Sequence, residues 1–324
     1  MYNYSVLLET VNKELQTSNL IEEPKELYEP IEYILSIGGK RLRPVLTLMA
    51  CNLFSENIEN AIKPALGIEL FHNFTLLHDD IMDKSDKRRN QETVHKKWSE
   101  NIAILSGDAM SILAYKYICS CENSKLSQVL DVFTKTALQV CEGQQFDMNF
   151  ETSETVSIPE YLNMIKLKTS VLLAGSLKIG AILGNANAED ANNLYNFGVN
   201  IGLAFQLQDD ILDVFGDTAK FGKNIGGDIS SNKKTFLLLK ALELASFEKR
   251  KELTEWINLK EFDKSAKIKA VTSIYNNLKV REFAEDLKNE YFEKSILNIE
   301  NIKIPENKKT HLRNISKKLL NREY

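Results

Sequence analysis

Two apolar runs in this chain end in the same way. Leu76-Leu77-His78 leads into Asp79-Asp80-Ile81-Met82-Asp83, and Phe205-Gln206-Leu207-Gln208 leads into Asp209-Asp210-Ile211-Leu212-Asp213. Each closes on Asp-Asp-x-x-Asp. On a helix the first and last Asp of such a set are four apart and project from one face. Carboxylates so placed repel each other unless a cation lies between them. A hard divalent ion fits, and magnesium is commonly held by one or two carboxylates together with water and substrate phosphate. Two such sites in one chain point to a substrate carrying a diphosphate. The fold must therefore be helical at both motifs and bring both acidic ends to one apolar hollow.

The rest of the sequence agrees with helices. Glycine and proline are scarce, at 14 and 6 of 324 residues, and no proline lies between Pro159 and Pro305. Few tight turns are possible in such a chain. Leu66, Leu70, Phe74, Leu77 and Ile81 recur at spacings of three and four, as a core-facing stripe does. Tyr161, Met164, Ile165 and Leu172 continue the pattern and precede the small residues Ala174-Gly175-Ser176, which let helices approach closely. Beyond Lys240 the chain runs on in charged amphipathic segments such as Phe283, Leu287, Tyr291 and Phe292. No alternation is long enough to build a sheet. Loops are expected at Ser36-Ile37-Gly38-Gly39, over 84–91 and over 216–234, so a polar loop follows each Asp motif. With no linker between the motifs, the expectation is an all-α bundle, residues 1–324 forming a single domain.

Bulk properties exclude several function classes. The net charge of −4 gives no basic face for nucleic acid. Cys119-x-Cys121 lacks the companion pair of a zinc site, and with Cys51 and Cys141 it reads as reduced thiols of a cytoplasmic protein. The N-terminus has no signal-peptide pattern. The most apolar stretch, Val171 to Leu183, is broken by Lys178 and falls short of the ~20 residues needed to span a bilayer, so no transmembrane segment is expected.

Basic residues form a second constellation. In Gly38-Gly39-Lys40-Arg41-Leu42-Arg43-Pro44 a helix start would let Lys40 and Arg43 converge, and the glycine pair leaves amide N–H groups open to an anion. Arg88-Arg89 offers two guanidinium forks for phosphate oxygens. The alternative for that pair is charge balance against Asp83 and Asp86. Lys168-Thr169, Lys223 and Lys233 are further candidates. Six Asp for metal, and Lys40, Arg43 and Arg89 for a phosphate held without metal, imply two phosphorylated substrates bound differently.

In this order and spacing the motifs resemble those of the trans-isoprenyl diphosphate synthases, or polyprenyl synthetases, over about residues 30–240. The resemblance implies an all-α prenyltransferase fold around a central cavity, usually a homodimer. By the family pattern Asp79 and Asp83 bind two magnesium ions and Asp209 a third, with Asp80, Asp210 and Asp213 in support. Arg88, Lys168 and Lys223 contact the allylic diphosphate (dimethylallyl, geranyl or farnesyl). Lys40, Arg43, His72 and Arg89 hold isopentenyl diphosphate. Thr169 and Gln206 face the developing allylic cation, Gln144 and Asp147 form a supporting site, and Lys233 is a loop lysine near the metal. Family members often have Gly after the arginine pair, where Asn90 stands here, which alters a loop turn.

Chain length of the product should follow the depth of the pocket below the first motif. Phe74 lies about 7.5 Å along the helix before Asp79, at ~1.5 Å per residue. With the smaller Thr75 beside it, Phe74 resembles the floor of short-chain members, and Phe71 is the alternative floor. The first motif lacks the two-residue insertion of many bacterial short-chain enzymes. A C15 to C20 product, leaning to C20, is expected. The rivals are a longer-chain synthase, a class I terpene cyclase, a head-to-head condensing enzyme and a non-catalytic subunit. The cyclase usually mixes Asn, Ser or Thr and Glu at its second site, neither it nor the head-to-head enzyme needs the isopentenyl set, and a non-catalytic subunit should have lost Asp or basic residues.

Overall fold

The computed structural model describes residues 2–18, 20–216 and 225–321. Four helices build the first part: α1 (Tyr4–Thr17), α2 (Lys25–Ser36), α3 (Leu42–Phe54) and α4 (Glu59–Met82). A short α5 (Val94–Lys97) leads into α6 (Glu100–Ile118) and the 30-residue α7 (Asn123–Thr152). Next, α8 (Ile158–Ile165) starts at a Ser157–Glu160 capping box with Pro159 in its first turn. It runs through a π-helical turn, Lys166–Ser170, into α9 (Val171–Leu183). Then comes α10 (Ala188–Phe215), whose N-cap Asn187 accepts from the Asp190 amide and whose first turn holds Glu189 and Asp190 against the helix dipole. After residue 224 follow α11 (Gly227–Ser230), α12 (Phe236–Leu244), α13 (Phe247–Asn258), α14 (Lys264–Asn277), α15 (Val280–Glu300) and α16 (Glu306–Asn321).

The all-α expectation is met. α4 and α10 carry the two Asp motifs on their last turns, and both are buried on most faces, as helices in the middle of a bundle must be. α4 packs on α3 and α6, while α10 lies against α9 and α15. One apolar cluster joins Leu46, Phe71, Phe133, Leu177 and Phe197. Another joins Tyr161, Leu207, Phe236, Ile274 and Val280. α10 enters both, giving Phe197 and Ile201 to the first and Leu203 and Leu207 to the second.

The polar loop expected over 84–91 is partly a hairpin. Strands β1 (Lys87–Arg88) and β2 (Gln91–Glu92) pair antiparallel, with Arg88 opposite Gln91. Arg89 and Asn90 both have positive φ, 52° and 64°. A two-residue turn with both φ positive matches the twist of the strands, and Asn tolerates that region almost as glycine does. Asn90 therefore makes this turn without a glycine. Two residues per strand are too few for alternation to be visible in the sequence.

Candidate active site

The first motif sits where α4 stops. Asp79 and Asp83 are stacked one turn apart, with the Asp83 amide donating to the Asp79 carbonyl at 2.8 Å. Desolvation and the neighbouring Asp79 carboxylate raise the Asp83 carboxyl, against Lys168 and Lys233, which lower it. Asp80 points the other way, into the protein, and is 3 % exposed. Arg88 grips it bidentately, Nε to Oδ2 and Nη2 to Oδ1, both at 2.8 Å. The same guanidinium is 3.7 Å from Asp79.

In the second motif Asp210 is the buried member. The Tyr161 hydroxyl donates to Asp210 Oδ2, and Gln206 Nε2 donates to Oδ1 at 3.3 Å. Burial pushes Asp210 up to about 7, although both hydrogen bonds work to lower it. Asp213 accepts the Asp228 amide at 2.9 Å and so ties α11 to the end of α10. Asp209 is half-buried.

Two lysines stand among these carboxylates. Lys168 Nζ reaches Asp147 Oδ2 at 2.6 Å and Asp79 Oδ1 at 3.3 Å. At Lys233 desolvation works to lower the ammonium, but Asp147, Asp228, Asp210 and Asp83 outweigh it and raise it. One cation thus feels the carboxylates of both motifs, so α4 and α10 end at a shared acidic mouth. Lys223 lies outside the described residues.

Below the mouth lies a cavity of about 370 Å³. Asp79, Lys168 and Thr169 line it near the charges, and Phe74, Thr75, Val140 and Leu172 make its apolar wall. Gln144 lines it too. The Thr169 hydroxyl donates to Gln206 Oε1 at 3.4 Å, linking the wall to Asp210. Phe71 is not part of the lining. It is 2 % exposed and packs behind Phe74 with ring centroids 5.4 Å apart.

Part of the basic set reaches the cavity. Arg43 and His72 both line it, with Arg43 Nη1 3.1 Å from His72 Nε2. Burial, then the positive charge of Arg43, Arg89, Arg88 and Arg41, hold the His72 imidazole well below its usual range. Burial also lowers Arg43, to about 10, so it stays charged at neutral pH. The Arg89 guanidinium lies flat on bare Gly39, where a Cβ would be 2.8 Å from Nη1. Lys40 is exposed on the same loop, its carbonyl taking the Tyr4 hydroxyl at 2.9 Å. A histidine neutral when folded and near 6.5 when unfolded opposes folding as pH falls. Between its lowered folded value and ~6.5, stability therefore rises with pH. His72→Gln should flatten that slope in melts run from pH 5 to 8, and an unchanged slope would refute the assignment.

Several residues at the site escaped the sequence reading. Tyr161 sits 49 positions from Asp210 and belongs to an ordinary apolar run, so nothing marked it. Arg41 and Glu69 form a buried ion pair at 2.7 Å that anchors the Lys40 loop to α4. His78, Met82, Cys141 and Met148 line the cavity. Lone side chains of these types carry no signal of their own.

The donor set suits a hard cation: it is all carboxylate oxygen, and burial, then the neighbouring Asp79 charge, holds Asp83 up. Among the described residues no three ligating side chains are already gathered on one point.

Known proteins agree with this geometry. The polyprenyl synthetase family pattern matches residues 24–275. A short chain isoprenyl diphosphate synthase of Methanocaldococcus jannaschii is 40 % identical over 250 residues, 77 % of this chain and 76 % of that protein. A geranylgeranyl diphosphate synthase of Methanosarcina mazei is 42 % identical over 225 residues, 69 % of each. The crystal structure of a geranylgeranyl pyrophosphate synthase superposes with a TM-score of 0.95 at 45 % identity, covering 100 % of both chains. The shared fold, the paired Asp motifs and this match over most of the sequence make the chain a member of the polyprenyl synthetase family and a trans-prenyltransferase.

Proposed function

We propose that this enzyme joins isopentenyl diphosphate to an allylic diphosphate, head to tail, and releases a C20 prenyl diphosphate. The reading rests above all on one observation: Asp79 of the first motif, Lys168, Arg43 and His72 line one apolar cavity, and Thr169 in its wall is tied through Gln206 to Asp210 of the second motif. The relatives named for geranylgeranyl diphosphate support the C20 product.

Each substrate has its own anion site in this scheme. Asp79, Asp83 and Asp209 would hold magnesium, three ions by the family pattern, and that metal would neutralise charge on the departing pyrophosphate. Lys168 and Lys233 change partners when the allylic diphosphate enters, turning from carboxylates to phosphate oxygens. Lys40, Arg43 and Arg89 hold isopentenyl diphosphate, with neutral His72 completing the set as a hydrogen-bonding group. As the allylic C–O bond breaks, positive charge grows on the chain. The Thr169 and Gln206 oxygens offer it fixed dipoles, while Phe74, Val140 and Leu172 keep water away. The isopentenyl double bond attacks that carbon, and the released pyrophosphate takes the proton lost afterwards.

Incubation with labelled isopentenyl diphosphate, magnesium and dimethylallyl, geranyl or farnesyl diphosphate in turn tests this reading. A C20 product on chromatography is expected. Absence of any elongated product with every primer overturns it.

The chain is proposed to act as one domain, because α10 serves both apolar clusters. A homodimer is also proposed. Leu105 and Ile112 on α6 and Leu138 on α7 are 60 %, 71 % and 61 % exposed, an apolar face that a second copy would cover. Ile112→Asp should halve the mass seen in sedimentation, and an unchanged mass excludes this face. No described helix is long and apolar enough to cross a membrane. The free cysteines support a cytoplasmic setting.

A further inference from the structure

The π-helical turn is held by the same device on two sides. Within Lys166–Ser170 the hydrogen bond closing the turn runs from the Val171 amide back to the Lys166 carbonyl, one residue wider than in an α-helix. The extra residue lets two neighbours, Lys168 and Thr169, both line the cavity, while Leu167 and Ser170 are buried against other helices.

On one side α7 supplies Gly143. A Cβ there would lie 2.2 Å from the Lys168 amide nitrogen and 2.7 Å from Lys168 Cα. One turn later on the same helix, Asp147 takes the Lys168 ammonium at 2.6 Å. On the other side α10 supplies Gly202. A Cβ there would meet Ser170 Cβ and Oγ at 2.7 Å and its Cα at 2.8 Å. One turn later, Gln206 takes the Thr169 hydroxyl. Each helix thus offers a bare notch to the backbone of the turn and, four residues on, a polar group to one of its side chains. Ser170 is fully buried, and its Oγ has no hydrogen-bond partner among the described residues, as expected of a residue pressed into a notch rather than chosen for a polar contact.

We propose that Gly143 and Gly202 are positioning residues for the prenyl transfer, clamping the π turn so that Lys168 faces the diphosphate and Thr169 the reacting carbon. This rests on the functional reading above. The glycines touch no substrate. They act through the turn they admit, because a methyl group at either notch would displace that turn from its place between the two helices. Misplacement of catalytic groups by about 1 Å can cost on the order of 100-fold in rate.

The test compares three substitutions. Gly143→Ala and Gly202→Ala address the clamp. Gly198→Ala is the packing control, since its Cβ would lie 2.5 Å from Ala174 Cα, in the contact of α10 with α9 beyond the π turn. The clamp variants should lose roughly 10- to 100-fold in kcat. Their KM for isopentenyl diphosphate should stay within about twofold, because Arg43 and His72 stand on other helices. Gly198→Ala should lower Tm and keep kcat.

In a Lys168→Ala background the further loss from Gly143→Ala should nearly vanish, because both act through one ammonium. Wild-type kcat in folded Gly143→Ala and Gly202→Ala, or losses that multiply fully with Lys168→Ala, overturn the clamp. Should Gly143→Ala not fold, Gly202→Ala and its cycle with Thr169→Val decide in the same way. Full activity in Lys168→Ala itself would instead sink the role given to Lys168, so the two failures are separable.

Discussion

Asp79→Asn is expected to lower kcat by roughly 10²- to 10³-fold while leaving the melting temperature almost unchanged, the range found when one group that stabilises a developing anion is removed. The two halves of that expectation have separate causes. For stability, Asp79 is dispensable. Its side chain is 22 % exposed, Lys168 keeps the closer Asp147, and Arg88 keeps the closer Asp80. For activity, Asp79 is one of two stacked carboxylates at the end of α4, and neutral Asn at the same place removes half the charge that would attract a hard cation. The variant should need more magnesium for half-maximal rate, and a chelator should abolish activity in both proteins, with magnesium restoring it. Asp80→Asn supplies the contrast. Its carboxylate is buried in a bidentate pair with Arg88. Breaking a buried pair costs about 3–5 kcal/mol, and partial exposure of Arg88 brings the expected loss nearer ~2 kcal/mol. A calorimetric melt should therefore show Asp80→Asn well below Asp79→Asn. Equal melting temperatures, or an Asp79→Asn enzyme with normal kcat and normal magnesium dependence, would refute this division of labour.

Legibility in the sequence followed the range of the interactions. The Asp motifs were readable because a four-residue spacing on a helix is a local fact, and the all-α bundle because apolar periodicity and the lack of proline are local facts too. Arg88 shows where that stops. Its adjacency to the first motif marks it for phosphate, yet Nε and Nη2 of its fork are both bonded to Asp80. Sequence proximity showed that the two could meet, not which carboxylate the hairpin would aim at. Asp80, Asp210 and Asp213 looked identical in type to Asp79, Asp83 and Asp209. Asp80 and Asp210 differ in the side of the helix they occupy, and Asp213 in what stands opposite. Tyr161 stands opposite Asp210, and the Asp228 amide opposite Asp213. Those partners come from other elements, so no local pattern reveals them. The notches at Gly143 and Gly202 were silent for the same reason: a glycine in a helix signals a close approach only once the approaching segment is known.

Phe74→Ala should lengthen the product by about one isoprene unit, since a truncated phenyl ring leaves a void comparable to five carbons. Phe74 lines the cavity, and Phe71 packs directly behind it without reaching the lining. Phe71 in turn packs edge-on against Phe133, with centroids 5.4 Å apart, and Phe133 against Tyr115 at 4.9 Å. The proposed floor, Phe74, is therefore the first of a row of rings. Removing one ring exposes the next rather than opening the cavity to the outside, which is why the expected shift is a single step, from C20 to C25. Phe71→Ala alone should leave the product at C20, because Phe74 still closes the cavity, but should cost more stability. Phe71 is almost fully buried, where loss of a Phe side chain costs about 3–5 kcal/mol, and half-buried Phe74 should cost less. The double variant should pass beyond C25. Chromatography of products from the three variants, made at equal turnover, distinguishes this order from its reverse. Lengthening by Phe71→Ala but not by Phe74→Ala would mean that the substrate tail runs on the far side of the row, away from the cavity wall that Phe74 now forms.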